Sequence, residues 1–279
     1  MYFGLYNLPG TFQRMMNSIF WKLLHEGVLA NYMDNFVIPA KTIKELEERI
    51  IQFLKIAEKH NLYFKRSKCN LNMKEILILG VVVGKGQVQI EQDQIKVVKK
   101  WKTPTKIKKV ESFLRFVNFY KRFIQNFSYI AKPLNEFKGR KWWTWTEEHQ
   151  QAFGELKEKI VSQLVLSLLK REGKFRVKLN ASRHAIGGVL SQEQKKKWRL
   201  IAFLSRTIQP AKRNYEIYDK ELLEIVEALT KWRQYLLNAM ELSEIWTDHE
   251  NLKYFKEPHK LNGQQARWYL KIQDYNFTL

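Results

Sequence analysis

The sequence holds a single cysteine, Cys69, among 279 residues. One thiol excludes an internal disulfide framework and a cysteine-rich zinc module, and it fits a reducing compartment. No run of about 18 apolar residues occurs, so no segment reads as a membrane-spanning helix. The opening stretch MYFGLYNLPG lacks a basic region followed by an apolar one, so it does not read as a signal peptide. The expected location is intracellular, cytoplasmic or nuclear, and not secreted. Acidic residues are also scarce: 28 Asp and Glu face 49 Lys and Arg, which leaves a net charge of +21 at pH 7. Such an excess points to a polyanionic partner, either nucleic acid or an anionic membrane surface. Its spread along the whole chain favours nucleic acid and no membrane.

What is present suffices for packed cores. Hydrophobic residues make up 45% and aromatics 14%, too rich a mixture for a disordered chain. The length allows about two domains. The charge is uneven: residues 101–140 hold 10 basic and 2 acidic groups and separate two better balanced ends.

Local patterns predict the elements. Phe12, Met15, Met16, Ile19, Phe20 and Leu23 share one helical face, which predicts a helix over 11–24, with Pro9-Gly10 breaking the chain before it and Thr11 as its cap. Residues 28–40 read as two short strands around the polar pair Asp34-Asn35. Residues 42–59 read as an amphipathic helix, and 76–83 with 87–90 as a hairpin about Gly84-Lys85-Gly86. Residues 107–124 form a helix with Val110, Phe113, Leu114 and Val117 inward and Lys108, Lys109, Lys121 and Arg122 mostly outward. Residues 139–146, with three tryptophans, read as a linker that packs down rather than as a base-stacking platform. Phe175, Val177 and Leu179 alternate with Lys174, Arg176 and Lys178, the mark of a strand over 174–179 with one buried face. Strands over 186–192 and 198–204, a long helix over 215–237, a strand over 243–247 and a helix over 263–272 follow. Strands, then a helix, then a strand give an α+β order.

Several of these residues have an ordinary reading. An Asp at a hairpin tip is common turn chemistry. Glu221 alone is a solvated helix residue, Asp248 a turn or N-cap at a strand end, and a basic helix face is often merely hydrated.

The wording of the chain carries a resemblance. Tyr32-Met33-Asp34-Asn35 resembles the Tyr-x-Asp-Asp box of reverse transcriptases, with Asn35 in place of the last Asp. Phe3-Gly4-Leu5-Tyr6-Asn7-Leu8-Pro9-Gly10-Thr11-Phe12-Gln13-Arg14 is similar to their template- and nucleotide-contacting block. Residues 71–89, with Leu79-Gly80 at the middle, resemble a primer-grip hairpin. Trp101-Lys102-Thr103-Pro104, Ser112-Phe113-Leu114 and the run from Asn118 to Ile124 resemble the thumb and connection of gypsy-class LTR retrotransposons. Trp145-Thr146-Glu147, Ala181-Ser182, Ile186-Gly187-Gly188, Lys220-Glu221-Leu222-Leu223 and Thr247-Asp248-His249 resemble their ribonuclease H domain. The motifs run in the family's order across essentially the whole chain.

The resemblance implies the distal part of a reverse-transcriptase palm with its primer-grip hairpin (1–90), a basic helical thumb/connection (91–140) and a ribonuclease H-like mixed-sheet domain (141–279). It implies RNA-directed DNA synthesis and cleavage of RNA in a hybrid. Both chemistries use Mg²⁺, with Mn²⁺ as a substitute, held by hard carboxylate oxygens. The implied catalytic positions are Asp34, Asn35, Asn180, Glu221 and Asp248, and the implied metal ligands are Asp34, Glu221 and Asp248. Phe3, Gly4, Gln13, Lys108, Lys109, Lys121 and Arg122 are the implied nucleic-acid contacts. RNA, DNA and their hybrid are the implied partners, together with a homo- or heterodimer of polymerase type. By the resemblance, Asn35 and Asn180 stand where the family has Asp, the family's upstream palm Asp would fall before the first residue, and its usual fourth ribonuclease H acid would fall after the last. Catalysis is therefore expected to be impaired. The rival expectation is a non-catalytic nucleic-acid-binding or scaffold protein derived from such an element.

Overall fold

Pro9 does not break the chain ahead of the first helix; it lies inside the helix's first turn. A first-turn proline is tolerated because its missing N–H would have had no intrahelical partner. Helix α1 therefore spans Leu8–Ile19 with Asn7, not Thr11, at its N-cap, and Thr11 Oγ1 donates to the Asn7 carbonyl at 3.2 Å. The structure, a computed structural model, describes residues 7–137, 139, 142–162, 164–170, 172–181, 185–209, 212, 215–237, 239–247 and 262–279. The chain divides into two compact units that meet in sequence at Ile78 and Leu79.

In the first unit the expected single helix is two. α1 stops at Phe20, and α2 (Trp21–His25) restarts beyond it. Phe20 is fully buried, stacked on Phe53 at 4.9 Å, so core packing rather than helix propensity sets the bend. Strands β1 (Ala30–Tyr32) and β2 (Asn35–Val37) pair antiparallel. Helix α3 (Ile43–Lys59) starts where expected, because the Thr42 hydroxyl accepts the Glu45 N–H at 3.2 Å. Met16, Phe20, Leu23, Leu29, Phe53 and Ala57 form this unit's core. Strand β3 (Glu75–Ile78) closes it.

The second unit opens on β4 (Val81–Gly84) and β5 (Gln87–Ile90), an antiparallel hairpin turning at Lys85-Gly86. Leu79 and Gly80 have φ of 49° and 71°, so a tight turn interrupts the segment expected as one strand over 76–83. Helices α4 (Gln92–Lys99) and α5 (Ile107–Phe119) follow, then a 3-10 turn Lys121–Phe123 and short helices α6 (Phe127–Ile130) and α7 (Lys132–Asn135). Helix α8 (Glu147–Val161) buries Phe153, Leu156 and Ile160 in the same core as Val110, Phe113 and Val117. Trp143 and Trp145 stack at 5.5 Å and lie against Phe137; Trp145 is half-buried, Trp143 keeps one side exposed and Trp142 is largely exposed. Strand β6 (Leu166–Ser167) joins the edge of β5.

The remaining elements build a five-stranded mixed sheet. β7 (Phe175–Ala181), β8 (Ala185–Gln194) and β9 (Lys197–Thr207) run antiparallel, longer than the sequence pattern predicts. After helices α9 (Ile217–Lys231) and α10 (Arg233–Leu236), strand β10 (Ser243–Trp246) lies parallel to β7. Helix α11 (Gly263–Gln273) and β11 (Phe277–Thr278) complete the sheet order β11-β10-β7-β8-β9. Phe175, Val177 and Leu179 are buried in one cluster with Leu222, Ile225, Val226 and Leu229 of α9. Trp232 ends α9 and is buried. A Cβ on Gly188 would stand 3.2 Å from both the Trp232 ring and Leu179, so this position takes a residue without one. The expected α+β architecture is the one observed.

Candidate functional site

The hairpin of the first unit is set by one side chain. Gln13, on α1, accepts the Met33 N–H at 2.6 Å through Oε1. Its Nε2 donates to Asn31 Oδ1 and to Asn17 Oδ1, the latter at 2.8 Å, and Asn31 Nδ2 donates to the Met33 carbonyl at 2.9 Å. Met33 is thereby held at φ 55°, and the two-residue turn is Met33-Asp34, not the expected Asp34-Asn35. Asn35 already pairs with Tyr32 as the first residue of β2. Asp34 and Asn35 are both exposed, adjacent in sequence at the end of the hairpin. The amide of Gln13, expected to touch nucleic acid, is engaged in this brace. Phe3 and Gly4 lie outside the described residues.

The basic segment splits as amphipathicity requires. Val110, Phe113, Leu114, Val117, Phe123 and Ile124 are buried, while Lys108, Lys109, Arg115, Lys121 and Arg122 are exposed. Among the described residues none of these five cations has an ion-pair partner. The helix expected over 107–124 ends at Phe119, and the 3-10 turn carries Lys121 and Arg122 onward.

In the mixed sheet, Asn180 lies within β7, opposite Gly187 of β8, and its side chain is exposed. The strand runs one residue past it, so Asn180 is not the residue after the strand. Glu221 lies in the second turn of α9 and is 2% exposed. α9 packs on β7, so the elements bearing Asn180 and Glu221 are neighbours. The parallel register of β10 on β7 pairs Trp246 with Lys178. Those residues precede Asp248 and Asn180 by two positions each; Asp248 itself lies outside the described residues. Beside this end of the sheet, the solvent side of β7 carries an aromatic and ionic stack. The Arg176 guanidinium lies 3.8 Å from the Trp198 ring centroid and 4.1 Å from that of Trp246. Glu244 takes Lys174 at 2.6 Å and Arg176 at 2.7 Å. Those two bonds, Lys174 first, hold the Glu244 carboxyl down to about 2.

Among the described residues no group of three His, Cys, Asp or Glu stands together as a metal cage. Asp34 has an amide, Asn35, beside it, and the β7 position opposite Gly187 is an amide as well. The donors described here do not by themselves make the carboxylate cluster that two divalent ions need.

The sequence reading also missed a gathering of cations. Arg206 at the end of β9 pairs with Glu227 of α9, and Lys212 Nζ stands 3.7 Å from the same carboxylate. No local signal marks it, because its members come from separate elements.

Comparison with known proteins places these features. Residues 1–83 match the family described as reverse transcriptase (RNA-dependent DNA polymerase). Residues 170–275 match the RNase H-like domain found in reverse transcriptase. The first segment is thus similar to reverse transcriptases and the second to the RNase H-like domain that accompanies them. Across its whole length it is 32% identical to the transposon Tf2-7 polyprotein and 31% identical to the transposon Tf2-3 polyprotein, both of Schizosaccharomyces pombe. It is similar over its whole length to a segment of those transposon polyproteins, and it spans 21% of their length. The fold is similar to that of a foamy viral protease-reverse transcriptase solved in complex with dsDNA, with TM-score 0.78 and 21% identity over 100% of this chain and 59% of that one. The same viral protein in complex with RNA/DNA hybrid gives TM-score 0.78 and 22% identity over 99% of this chain and 38% of that one.

Proposed function

We propose that this reverse transcriptase–ribonuclease H region grips RNA–DNA hybrid and duplex nucleic acid while its metal-dependent chemistry is weakened. The observation that carries the reading is the exposed cation row of α5 and the 3-10 turn. Lys108, Lys109, Arg115, Lys121 and Arg122 face solvent above a fully apolar inner face. Cations that pair with no acid among the described residues are what a phosphate backbone neutralises, releasing its counterions. The ligands named for the viral neighbours, dsDNA and RNA/DNA hybrid, are of the class this surface would take.

Around that surface the finer reading is as follows. The element is of gypsy class. Residues 1–90 serve as palm and primer grip, 91–140 as thumb/connection, and 141–279 as the ribonuclease H part. Phe3, Gly4 and Gln13 belong to the template-contacting block, with Gln13 acting through the hairpin it braces. Asp34 with Asn35, and Asn180 with Glu221 and Asp248, occupy the two catalytic positions. Reverse transcriptases and ribonucleases H generally use divalent metals, and Mg²⁺ is the ion this site class takes. An amide oxygen offers a lone pair but no charge, so Asn35 and Asn180 each remove one unit of attraction for the ion. At about 4 Å and an effective dielectric of about 20, a unit charge pair is worth roughly 4 kcal/mol before desolvation. The protein works inside the cell, with a second polymerase-type subunit as a partner.

The test is anisotropy of a labelled RNA–DNA hybrid. Lys108→Glu, Lys109→Glu and Arg122→Glu together are expected to weaken binding at least tenfold more than Lys195→Glu, Lys196→Glu and Lys197→Glu. Equal losses, or a larger loss from the second set, overturn the reading.

A further inference from the structure

We infer that the cations gathered between the 3-10 turn, the end of β9 and the C-terminal half of α9 form a second anchor for the nucleic-acid backbone. The inference rests on the nucleic-acid reading above and adds Arg206, Lys212 and Lys231 to it. None of these residues belongs to a recognised motif of the chain. The strand β9 packs on the 3-10 turn, and Lys121 of that turn is near enough to Arg206 for their charges to interact. There Arg206 reaches Glu227, and Lys212 approaches the same carboxylate at 3.7 Å. Lys231 stands one helical turn beyond Glu227, on the same face of α9. Two cations thus share one acid, which is itself only 13% exposed, and Lys121 and Lys231 stand close enough to Arg206 or to each other for their charges to interact. Shielding by the packed strand, and the nearby charges of Lys231 and Arg206, hold the Lys121 ammonium below the ordinary lysine range. Beside them, Thr230, Lys231, Arg233 and Gln234 line a shallow hollow of about 420 Å³.

Like charges crowded at a partly shielded site repel one another, and Glu227 offsets only one of them. A ligand that supplies regularly spaced negative charge removes that repulsion. Among polyanions the sugar–phosphate backbone of a duplex fits best, because Lys121 is shared with the exposed row of α5 and the turn. The two surfaces are therefore continuous, and one duplex can lie along both. The anchor would make the α5 segment and the mixed-sheet segment hold the same duplex at once.

Arg206→Gln with Lys231→Gln tests this in the full chain. Lys195→Gln with Lys196→Gln, in the turn between β8 and β9, removes the same charge as a control. Hybrid binding is measured between 50 and 200 mM salt. The first pair is expected to lower affinity about tenfold and to make the log–log salt slope shallower by about 0.9 for each phosphate that is no longer neutralised. The control pair is expected to leave the slope within error. Thermal unfolding of each variant separates weaker binding from unfolding. A folded first pair that binds like the parent, or no more weakly than the control, overturns the inference. So does a loss confined to phosphatidylserine vesicles. If Lys108→Glu, Lys109→Glu and Arg122→Glu weaken hybrid binding while this pair does not, the anchor alone fails. If neither does, the nucleic-acid reading fails with it.

Discussion

Asn180 is the residue at which chemistry should respond most directly to a single change. Its side chain is exposed in β7, and Asp matches its volume, so Asn180→Asp adds charge at little cost to folding. Glu221 lies buried on the neighbouring helix. Asn180→Asp is expected to raise divalent-ion-dependent cleavage of the RNA strand of a hybrid at least tenfold, about 1.4 kcal/mol of barrier. Gel analysis of an end-labelled hybrid reads this. Adding Glu221→Gln should return cleavage to the parent level; if the parent already cleaves as fast as Asn180→Asp, this position is not at the reacting site. Gly80 offers a structural test. It has φ 71°, and a Cβ there would lie 2.7 Å from Tyr120 Oη, whose hydroxyl donates to the Gly80 carbonyl at 3.4 Å. Gly80→Ala should cost about 1–2 kcal/mol from the left-handed backbone alone. Made in a Tyr120→Phe background it should cost measurably less, because the crowded oxygen is gone. Equal costs in both backgrounds would show that Tyr120 is not the neighbour that matters. Residue identities at the candidate sites were legible in the sequence, but their duties were not: nothing in the order of residues around Gln13 says that its amide is spent on Met33 and Asn31.

At the scale of elements, β7 shows how a strand's two faces take different work. One face is apolar and buried; the other holds Arg176 between Trp198 and Trp246, with Glu244 beneath. Opposite Arg176 on β8 stands Ser191, short enough for the guanidinium to reach across to β9. Glu244 has its carboxyl held at about 2, below its ordinary 4.5, by Lys174 and Arg176. Between those values the unfolded chain binds the proton and the folded one does not. The stabilisation is therefore complete above about 4.5 and is lost as pH falls toward 2. Melting temperature followed by circular dichroism should drop across that window, and Glu244→Gln should lower it at pH 7 and shallow the drop. A parallel pH profile for parent and variant would count against the pairing. The alternation of residues 174–179 made this strand readable. The strand at β10 was readable too, but its direction parallel to β7 was not a matter of local pattern, since strand direction is decided by the α9 crossover. Helix breaks at Phe20 and Trp232 were hidden for a similar reason: both residues continue the apolar face and break the helix only because the core claims them.

For the whole molecule, the net charge of +21 sets the response to salt. Sequence-independent binding to duplex and hybrid is expected to fall by about 10³ or more between 50 and 200 mM salt, if six or more phosphates are contacted. Titrations at four salt concentrations give the slope; a flat affinity would remove the electrostatic account. That expectation, the α+β order, the buried face of β7, the capped start of α3 and the order of the motifs are properties the sequence determines by itself. Each depends on composition or on residues within one turn or one pleat of each other. Tertiary structure alone decided the Met33-Asp34 turn, the Arg176 sandwich, the burial of Glu221 and the meeting of Lys121, Arg206, Lys212 and Lys231. These depend on which distant segments pack together, and the free energy that selects such packing comes from burying apolar surface in cores whose members are scattered along the chain.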